Sequence, residues 1–154
     1  MLFYDFFPVL LNPTIFELVI GHLQNHISTT VEKVDVIAGL ESRGFLLGPI
    51  LASRLGVAFV PIRKKGKLPG KTESVTFTLE YGQDDLEIQC ESIKPGQKVI
   101  LIDDLIATGG TASAAVGLVQ KVQGEVVKFL FVMEIDQLKG REKLKVGVYS
   151  MIHY

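Results

Sequence analysis

Cysteine and tryptophan are nearly absent from this sequence of 154 residues. It contains one cysteine, Cys90, and no tryptophan. A single cysteine excludes a framework of intrachain disulfides and is typical of proteins from a reducing compartment. We therefore expect a cytoplasmic protein whose fold depends on a hydrophobic core.

An excess of one charge and long apolar runs are lacking as well. There are 16 Lys and Arg residues against 17 Asp and Glu residues, a formal net charge of −1. This balance provides no broad basic field for nucleic acid. No run approaches the roughly 18 uninterrupted apolar residues of a membrane span, and the N-terminal MLFYDFFPVLL has no Lys or Arg of the kind that opens a signal peptide. We expect neither a nucleic-acid partner nor a membrane partner.

Hydrophobic residues are abundant. They make up 47% of the sequence, and the mean hydropathy of +0.33 is high for a chain of this length. The length predicts one domain over residues 1–154. The hydropathy suggests that a second subunit covers part of its apolar surface.

Short apolar runs alternate with segments of helical periodicity. The pattern predicts a helix that begins at Pro13, further helices over 44–55 and 111–123, and buried strands at 34–38, 57–62, 99–102, 126–132 and 146–152. Strands that alternate with helices favour a doubly wound α/β domain with a mostly parallel sheet. Two alternating segments, 75–81 and 86–90, predict a short antiparallel addition, with Glu80 and Thr78 on one face of its first strand.

The most informative segment is VILIDDLIATGGTA, residues 99–112. It reads as a buried strand, two aspartates, a small-residue loop and the start of a helix. The spacing matches neither a Walker A loop nor the dinucleotide fingerprint. The small residues would present amides and hydroxyls to an anion at a helix N-terminus. They are Ala107, Thr108, Gly109, Gly110 and Thr111.

Asp103 and Asp104 immediately precede this loop and would repel a phosphate. The vicinal hydroxyls of a ribose whose 5′-phosphate occupies the loop would give the two carboxylates partners. The segment therefore predicts a ribose-phosphate site. The alternative is that the aspartates only accept hydrogen bonds from nearby loop amides.

This segment resembles the phosphoribosyl pyrophosphate (PRPP) motif of type I phosphoribosyltransferases. Further stretches resemble the adenine phosphoribosyltransferase family, namely IAGLESRGFLLGP (37–49), PIRKKGKLPGK (61–71), LEYGQDDLEIQ (79–89) and QLKGREKL (137–144). The resemblance covers nearly the whole chain. It implies an enzyme of purine salvage that converts adenine and PRPP to AMP and pyrophosphate. It also implies a homodimer, and Mg²⁺ that is held mainly by PRPP and water, with no direct protein ligand.

The resemblance also implies roles for individual residues. Pyrophosphate binding would fall to Arg43, Arg63 and Lys67 and to the loop Glu41–Ser42, where the family has a non-proline cis peptide bond. A flexible basic loop and hood strand would span 63–82, with Glu80 as the acid–base residue and Tyr81 helping the hood to close. A base-binding segment would span 1–11, in which Phe3 stacks on adenine between the backbones of Leu2 and Tyr4.

Other interpretations remain open from the residues alone. The basic loop and Glu80 could be solvated surface, and the aromatic N-terminal segment could be core. The chain departs from the family pattern at Tyr4, where relatives usually have Arg, and relatives extend further upstream. A non-catalytic PRPP or nucleotide sensor is one alternative, and an enzyme for hypoxanthine, guanine or orotate is another. The basic run from Lys139 to Lys145 predicts a solvated loop.

Overall fold

The structure is a computed structural model that describes residues 4–154. Within these residues the chain forms four α-helices and seven β-strands. In chain order they are α1 (Phe7–Leu10), α2 (Pro13–Thr30), β1 (Val36–Leu40), α3 (Gly44–Leu55), β2 (Ala58–Lys64), β3 (Thr72–Leu79), β4 (Gly82–Gln89), β5 (Lys98–Ile106), α4 (Gly110–Lys121), β6 (Glu125–Glu134) and β7 (Val148–His153). Two 3-10 turns, Asp136–Leu138 and Gly140–Lys143, lie between β6 and β7. In this part of the chain, no helix has both the length and the apolar character needed to cross a membrane.

The strands form one sheet in the order β3-β4-β2-β1-β5-β6-β7. The neighbours from β2 through β7 in this order run parallel. The hairpin of β3 and β4 is antiparallel and joins the sheet through β2. This arrangement confirms the predicted doubly wound, mostly parallel sheet with a short antiparallel addition.

Helices cover both faces of the sheet, and the central strands alternate between them. On β1, Val36 and Ala38 pack in the cluster that contains α4, whereas Ile37 packs in the cluster that contains α2 and α3. On β5, Leu101 and Ile102 divide in the same way. Strands covered on both faces are apolar throughout because neither row of side chains meets water.

Two helix ends agree with the residues that predicted them. The Asn12 side chain accepts hydrogen bonds from the amides of Thr14 and Ile15 at 3.1 and 3.2 Å, and Pro13 opens α2. Gly56 ends α3 with a φ of +68°, a conformation that glycine adopts readily.

Most strands end within about two residues of the prediction, and two of the differences affect the placement of candidate site residues. β5 continues past Ile102 to Ile106 because β6 pairs with it as far as Glu134, so the two aspartates lie within the strand. β3 ends at Leu79, and Glu80 and Tyr81 form the turn of the hairpin. The prediction of a strand over 75–81, with Glu80 on its polar face, was therefore wrong at its end.

Candidate active site

The loops with the predicted site residues meet at one edge of the sheet. β2, β1 and β5 are parallel neighbours, so their carboxyl ends lie side by side. In open α/β sheets, ligands bind at this edge. A cavity of about 230 Å³ lies beside the end of β5 and is lined by Glu41, Arg43, Phe131 and every residue from Asp103 to Ala112.

Two carboxylates, Asp103 and Asp104, line this cavity and have different hydrogen-bond partners. Asp104 is 2% exposed and accepts a hydrogen bond from Nε of Arg43. Asp103 accepts the amide N–H of Asp104 at 2.9 Å. Burial raises the pKa of Asp103 well above its usual range, and the neighbouring charge of Asp104 adds to this effect. The cavity thus holds one carboxylate neutralised by arginine and one that protonates easily.

The small-residue loop forms a cradle at the N-terminus of α4. Gly109 has a φ of +83° and precedes the first residue of the helix. Ala107, Thr108 and Thr111 line the same cavity as the two aspartates. The helix is 12 residues long, and its unpaired N-terminal amides favour an anion at this end. The predicted ribose-phosphate residues are thereby brought together.

The loop after β1 joins the ends of two strands. The peptide bond between Glu41 and Ser42 is cis, as the family resemblance implied. The Glu41 carboxylate accepts the Lys64 amide at 2.7 Å and Nε of Arg63 at 3.2 Å. The Arg63 guanidinium also lies 6.0 Å from the centroid of the Phe45 ring. Glu41 and Arg43 line the cavity. Arg63 does not line it, but its hydrogen bond to Glu41 keeps it next to a lining residue.

The basic loop after β2 carries cations in different surroundings. Lys64 and Lys65 pair with Asp84 and Asp85 of β4 at 3.1 and 3.4 Å. No carboxylate within residues 4–154 pairs with Lys67, which is exposed. Lys71, at the end of the same loop, is likewise exposed and has no carboxylate partner among the described residues, so the charges of Lys67 and Lys71 are both left for a ligand.

A buried carboxylate that the sequence analysis missed holds this loop. Glu87 on β4 is 3% exposed, and its Oε1 accepts the amides of Lys67 at 3.0 Å and Leu68 at 2.8 Å. Burial alone would raise the pKa of Glu87, but the backbone amides of Leu68, Gly66 and Lys67 and the side-chain hydroxyl of Thr72 together lower it. The alternation of Leu86 and Ile88 gave no signal for Glu87, because it places this residue on the face that looks solvated.

The hairpin tip lies near the cradle but outside the cavity lining. A β-carbon at Gly110 would stand 3.7 Å from the carbonyl oxygen of Thr78. Glu80 and Tyr81 follow in the turn, and Tyr81 is 92% exposed. Of the described residues predicted for the site, four groups do not line the cavity: Ser42, Arg63 with Lys67, Glu80 with Tyr81, and Tyr4.

The predicted base-binding segment is only partly described. Leu2 and Phe3 lie outside the described residues. Tyr4 is half-buried, and its ring centroid lies 4.8 Å from that of Tyr154. Its neighbour Phe6 is fully buried in the core that α2 and α3 cover.

One residue of the predicted solvated basic run, Arg141, forms an ion pair with a buried carboxylate. Arg141 donates from Nε and Nη2 to the two oxygens of Glu134, which is 2% exposed. Arg141 is exposed, as predicted, but its pairing with Glu134 at the end of β6 was not predicted. The signal available was the glycine of QLKGREKL, which allows this segment to approach the cradle closely.

Comparisons with known proteins agree with this geometry. The family model described as the phosphoribosyl transferase domain matches residues 9–153. An adenine phosphoribosyltransferase of Rattus norvegicus is 51% identical over 156 residues, which cover 100% of this chain and 87% of the relative. One of Yarrowia lipolytica is 50% identical over 154 residues, with 99% and 85% covered.

A solved structure extends the similarity to the fold. The crystal structure of adenine phosphoribosyltransferase from Saccharomyces cerevisiae has a TM-score of 0.94 and 48% identity to this chain. The match covers 98% of this chain and 87% of the yeast chain. The yeast enzyme was crystallised with adenine and D-2,5-dideoxy-2,5-imino-altritol 1,6-bisphosphate.

Proposed function

Since the chain belongs to the adenine phosphoribosyltransferase family, we propose that it transfers the 5-phosphoribosyl group of PRPP to adenine, giving AMP and pyrophosphate in purine salvage. One observation carries the proposal: two aspartates and a glycine-containing helix N-terminus share a single cavity. Residues 1–154 act in this proposal as one phosphoribosyltransferase domain, with a base-binding segment at 1–11, a loop and hood at 63–82 and a PRPP motif at 99–112.

The cavity suits the ribose 5-phosphate part of PRPP. Residues 107–111 would bind the 5′-phosphate through the amides at the start of α4. Asp103 and Asp104 would accept hydrogen bonds from the ring hydroxyls. Because Arg43 neutralises Asp104, the repulsion between this pair of acids and a nearby phosphate is reduced.

The leaving group would lie toward the ends of β1 and β2. N9 of adenine attacks the anomeric carbon, and pyrophosphate departs with the electron pair of the bond between that carbon and oxygen. Positive charge develops on the sugar and negative charge on the pyrophosphate. Fixed cations stabilise such a leaving group. Arg43, Arg63 and Lys67 would supply them, with the amides of Glu41–Ser42 beside them.

Glu80 is the carboxylate proposed to receive the proton that adenine loses from its imidazole ring. Its place in the hairpin turn beside the cradle gives it access to the site once the hood closes. The exposed Tyr81 next to it would become covered in that closure. A lid that excludes water protects a reactive sugar cation from hydrolysis.

We propose that Mg²⁺ arrives with PRPP and is not held by a cage of protein ligands. The carboxylates of the cavity are largely engaged, Asp104 by Arg43 and Glu41 by Arg63. This leaves the ion to keep several waters and to bind mainly through the phosphates of the substrate. When bound, Mg²⁺ would neutralise charge on the departing pyrophosphate.

We propose a homodimer whose interface includes an apolar strip on α1 and α2. Phe7, Leu11, Ile15 and Leu18 expose 46–85% of their surface and recur at intervals of three or four residues. Ile15 and Leu18, three residues apart, share one face of α2, whereas Phe7 belongs to α1 and Leu11 lies between the two helices. A second copy of the chain would cover this strip.

We propose a cytoplasmic location on the ground of cysteine content. Cys90 is the sequence's only cysteine and its thiol is free. Free thiols persist where the compartment is reducing. Microscopy of a fluorescent fusion in the source cells would test this location.

A coupled assay for pyrophosphate release tests the reaction directly. Purified protein with PRPP and Mg²⁺ should release pyrophosphate when adenine is added, and form AMP in equal amount. Hypoxanthine, guanine and orotate in parallel reactions test the base. Release that is faster with another base would replace adenine in the proposal.

Binding without turnover would favour the sensor. The controls are reactions without base and reactions with EDTA. If calorimetry detects PRPP or AMP binding but no base gives pyrophosphate release, the chain binds nucleotide without catalysis.

A further inference from the structure

A segment outside the cavity supports the phosphate cradle from behind. It comprises residues 136–143, between β6 and β7, and we refer to it as the brace. It forms the two 3-10 turns Asp136–Leu138 and Gly140–Lys143. The amide of Ile135, just before it, donates to the carbonyl of Ile106 at the end of β5. The brace thus begins beside the strand that carries the cavity aspartates.

Brace and cradle touch backbone to backbone. A β-carbon at Gly109 would lie 2.3 Å from the carbonyl oxygen of Gly140. A β-carbon at Gly140 would lie 2.3 Å from the carbonyl oxygen of Ala107 and 3.0 Å from the amide nitrogen of Gly109. No side chain fits between two backbones at these distances. The position of Gly140 therefore limits where the cradle amides can point.

An ion pair between the exposed Arg141 and the buried Glu134 fixes the brace. Arg141 donates from Nε to Oε1 of Glu134 at 2.7 Å and from Nη2 to Oε2 at 2.5 Å. Ser150 of β7 donates to the same Oε2 at 2.6 Å. The hydrogen bonds of Arg141 lower the pKa of Glu134 in spite of its burial. A bidentate guanidinium–carboxylate contact fixes the orientation of the two groups as well as the distance between them.

The same cluster does not fit a metal ion. Glu134, Asp136 and His153 have ligand atoms close together. Both oxygens of Glu134 already accept hydrogen bonds from Arg141 or Ser150, and His153 is hydrogen-bonded to Asp136 at 2.7 Å. The candidate ligand atoms are therefore already engaged in hydrogen bonds within the cluster.

We propose that Arg141 is a positioning residue for the 5′-phosphate: by anchoring to Glu134 it presses Gly140 against residues 107–109 and so fixes the direction of the cradle amides. This inference rests on the proposed function, which places the phosphate in that cradle. Arg141 itself lies outside the cavity lining and does not contact the ligand. Its effect on binding would be transmitted through Gly140 alone.

The affinity ratio of AMP to adenosine isolates this effect, because only AMP carries the phosphate. We expect Arg141→Gln and Gly140→Ala to lower the ratio about tenfold, the loss of roughly one charged hydrogen bond. Adenosine affinity should change less than about twofold. Lys143→Gln and Gly117→Ala are the controls, since Lys143 is exposed and a β-carbon at Gly117 meets nothing within 4 Å.

The outcomes separate the two proposals. A wild-type protein that binds AMP no better than adenosine overturns the proposed phosphate site. If the wild-type ratio is high and the two variants retain it, the positioning role of Arg141 is wrong while the proposed function stands. Loss of the ratio in the controls as well overturns the role too. If Arg141→Gln and Gly140→Ala do not fold, Arg141→Lys is the variant to test. Lysine keeps the positive charge but cannot form the bidentate contact with Glu134, so the affinity ratio should still fall.

Discussion

Asp103 and Asp104 are adjacent in the sequence, yet a cation neutralises only one of them. Arg43 donates to Asp104, whereas burial and the charge of Asp104 raise the pKa of Asp103. A carboxyl whose pKa is raised on folding makes the folded state less stable wherever it is ionised. Asp103 therefore reduces stability at neutral pH, as is common for groups that bind or react with ligands.

Replacement of each aspartate by asparagine should have opposite effects on stability. Asp103→Asn removes a half-buried carboxyl whose ionisation opposes folding, so Tm at about pH 7 should rise by roughly 2–4 °C, as for 1 kcal/mol in a domain of this size. Asp104→Asn deprives Arg43 of its partner and should cost about 1–3 kcal/mol. Both should weaken AMP binding. Thermal scans and calorimetry measure these effects, and an Asp103→Asn variant that melts below wild type would contradict the assignment.

Glu87 should make the stability depend on pH through the basic loop. Its pKa is lowered on folding, so its contribution is present above the unfolded pKa of about 4.3 and is lost as pH falls through the lower folded value. Glu87→Gln should cost about 1–3 kcal/mol near pH 7. The difference from wild type should vanish on acidification, in denaturant titrations at several pH values.

The matched control for Glu87 is the nearby exposed Glu91. Glu91→Gln should leave stability unchanged across the same pH range. If the difference in the free energy of unfolding between wild type and Glu87→Gln persists or widens at about pH 3, the ionised carboxylate is not what holds the loop.

Among elements, the β3–β4 hairpin departs most from what its sequence predicted. Alternation from Val75 to Leu79 predicted a strand correctly. The pattern alone could not locate the turn, because Glu80 and Tyr81 continue the alternation. Within the hairpin, the first residue with a positive φ is Gly82, at +120°. The turn places Glu80 at the exposed tip. For the proposed proton transfer, the hairpin must move as a unit.

Glu80→Gln should lower kcat by about 10²–10⁴-fold, since positioned proton transfer contributes that much. PRPP affinity should change less than about twofold, because the cradle and cations are untouched. Steady-state kinetics with PRPP binding by calorimetry separates the two. Glu73→Gln, at the other end of the same hairpin, is the control. Wild-type turnover in Glu80→Gln would remove this residue from the mechanism.

Other elements were predictable because their signals are local. The cap of Asn12 and Pro13, the Gly56 terminus and the apolar strands depend on neighbours in sequence. The grouping of residues 103–111 in one cavity was predictable for the same reason, because the loop between a parallel strand and the following helix lies at the sheet edge where ligands bind. Glu87 was missed because its partners lie 19–20 positions away in a loop whose path the sequence does not reveal. The pairing of Arg141 was missed because it depends on how the brace turns back toward Glu134 at the end of β6, 7 positions away.

For the whole molecule, the uncovered apolar strip is the main feature that the fold does not explain. Leu11 and Leu18 are 85% and 67% exposed, while the core on the inner side of α2 is fully buried. Several exposed apolar side chains close in sequence are a feature of interaction sites. The high mean hydropathy of the sequence has part of its origin here.

Charges on the strip should prevent self-association. Wild type should sediment as about twice the 16.9 kDa chain mass, because a second copy removes the strip from water. Leu11→Glu with Leu18→Glu should sediment as a monomer and keep its helical circular dichroism. Ile152→Glu, exposed on β7, serves as the control. A wild-type monomer at micromolar concentration would contradict the proposed dimer.

The contact between Gly109 and Gly140 has a consequence for how the protein is made. The cradle is complete in sequence once Thr111 has been synthesised, but the residues that press on it and the hydroxyl of Ser150 that joins their anchor come later. We therefore expect a nascent chain on the ribosome to reach its full affinity for the proposed phosphate ligand only after β7 has emerged and paired with β6.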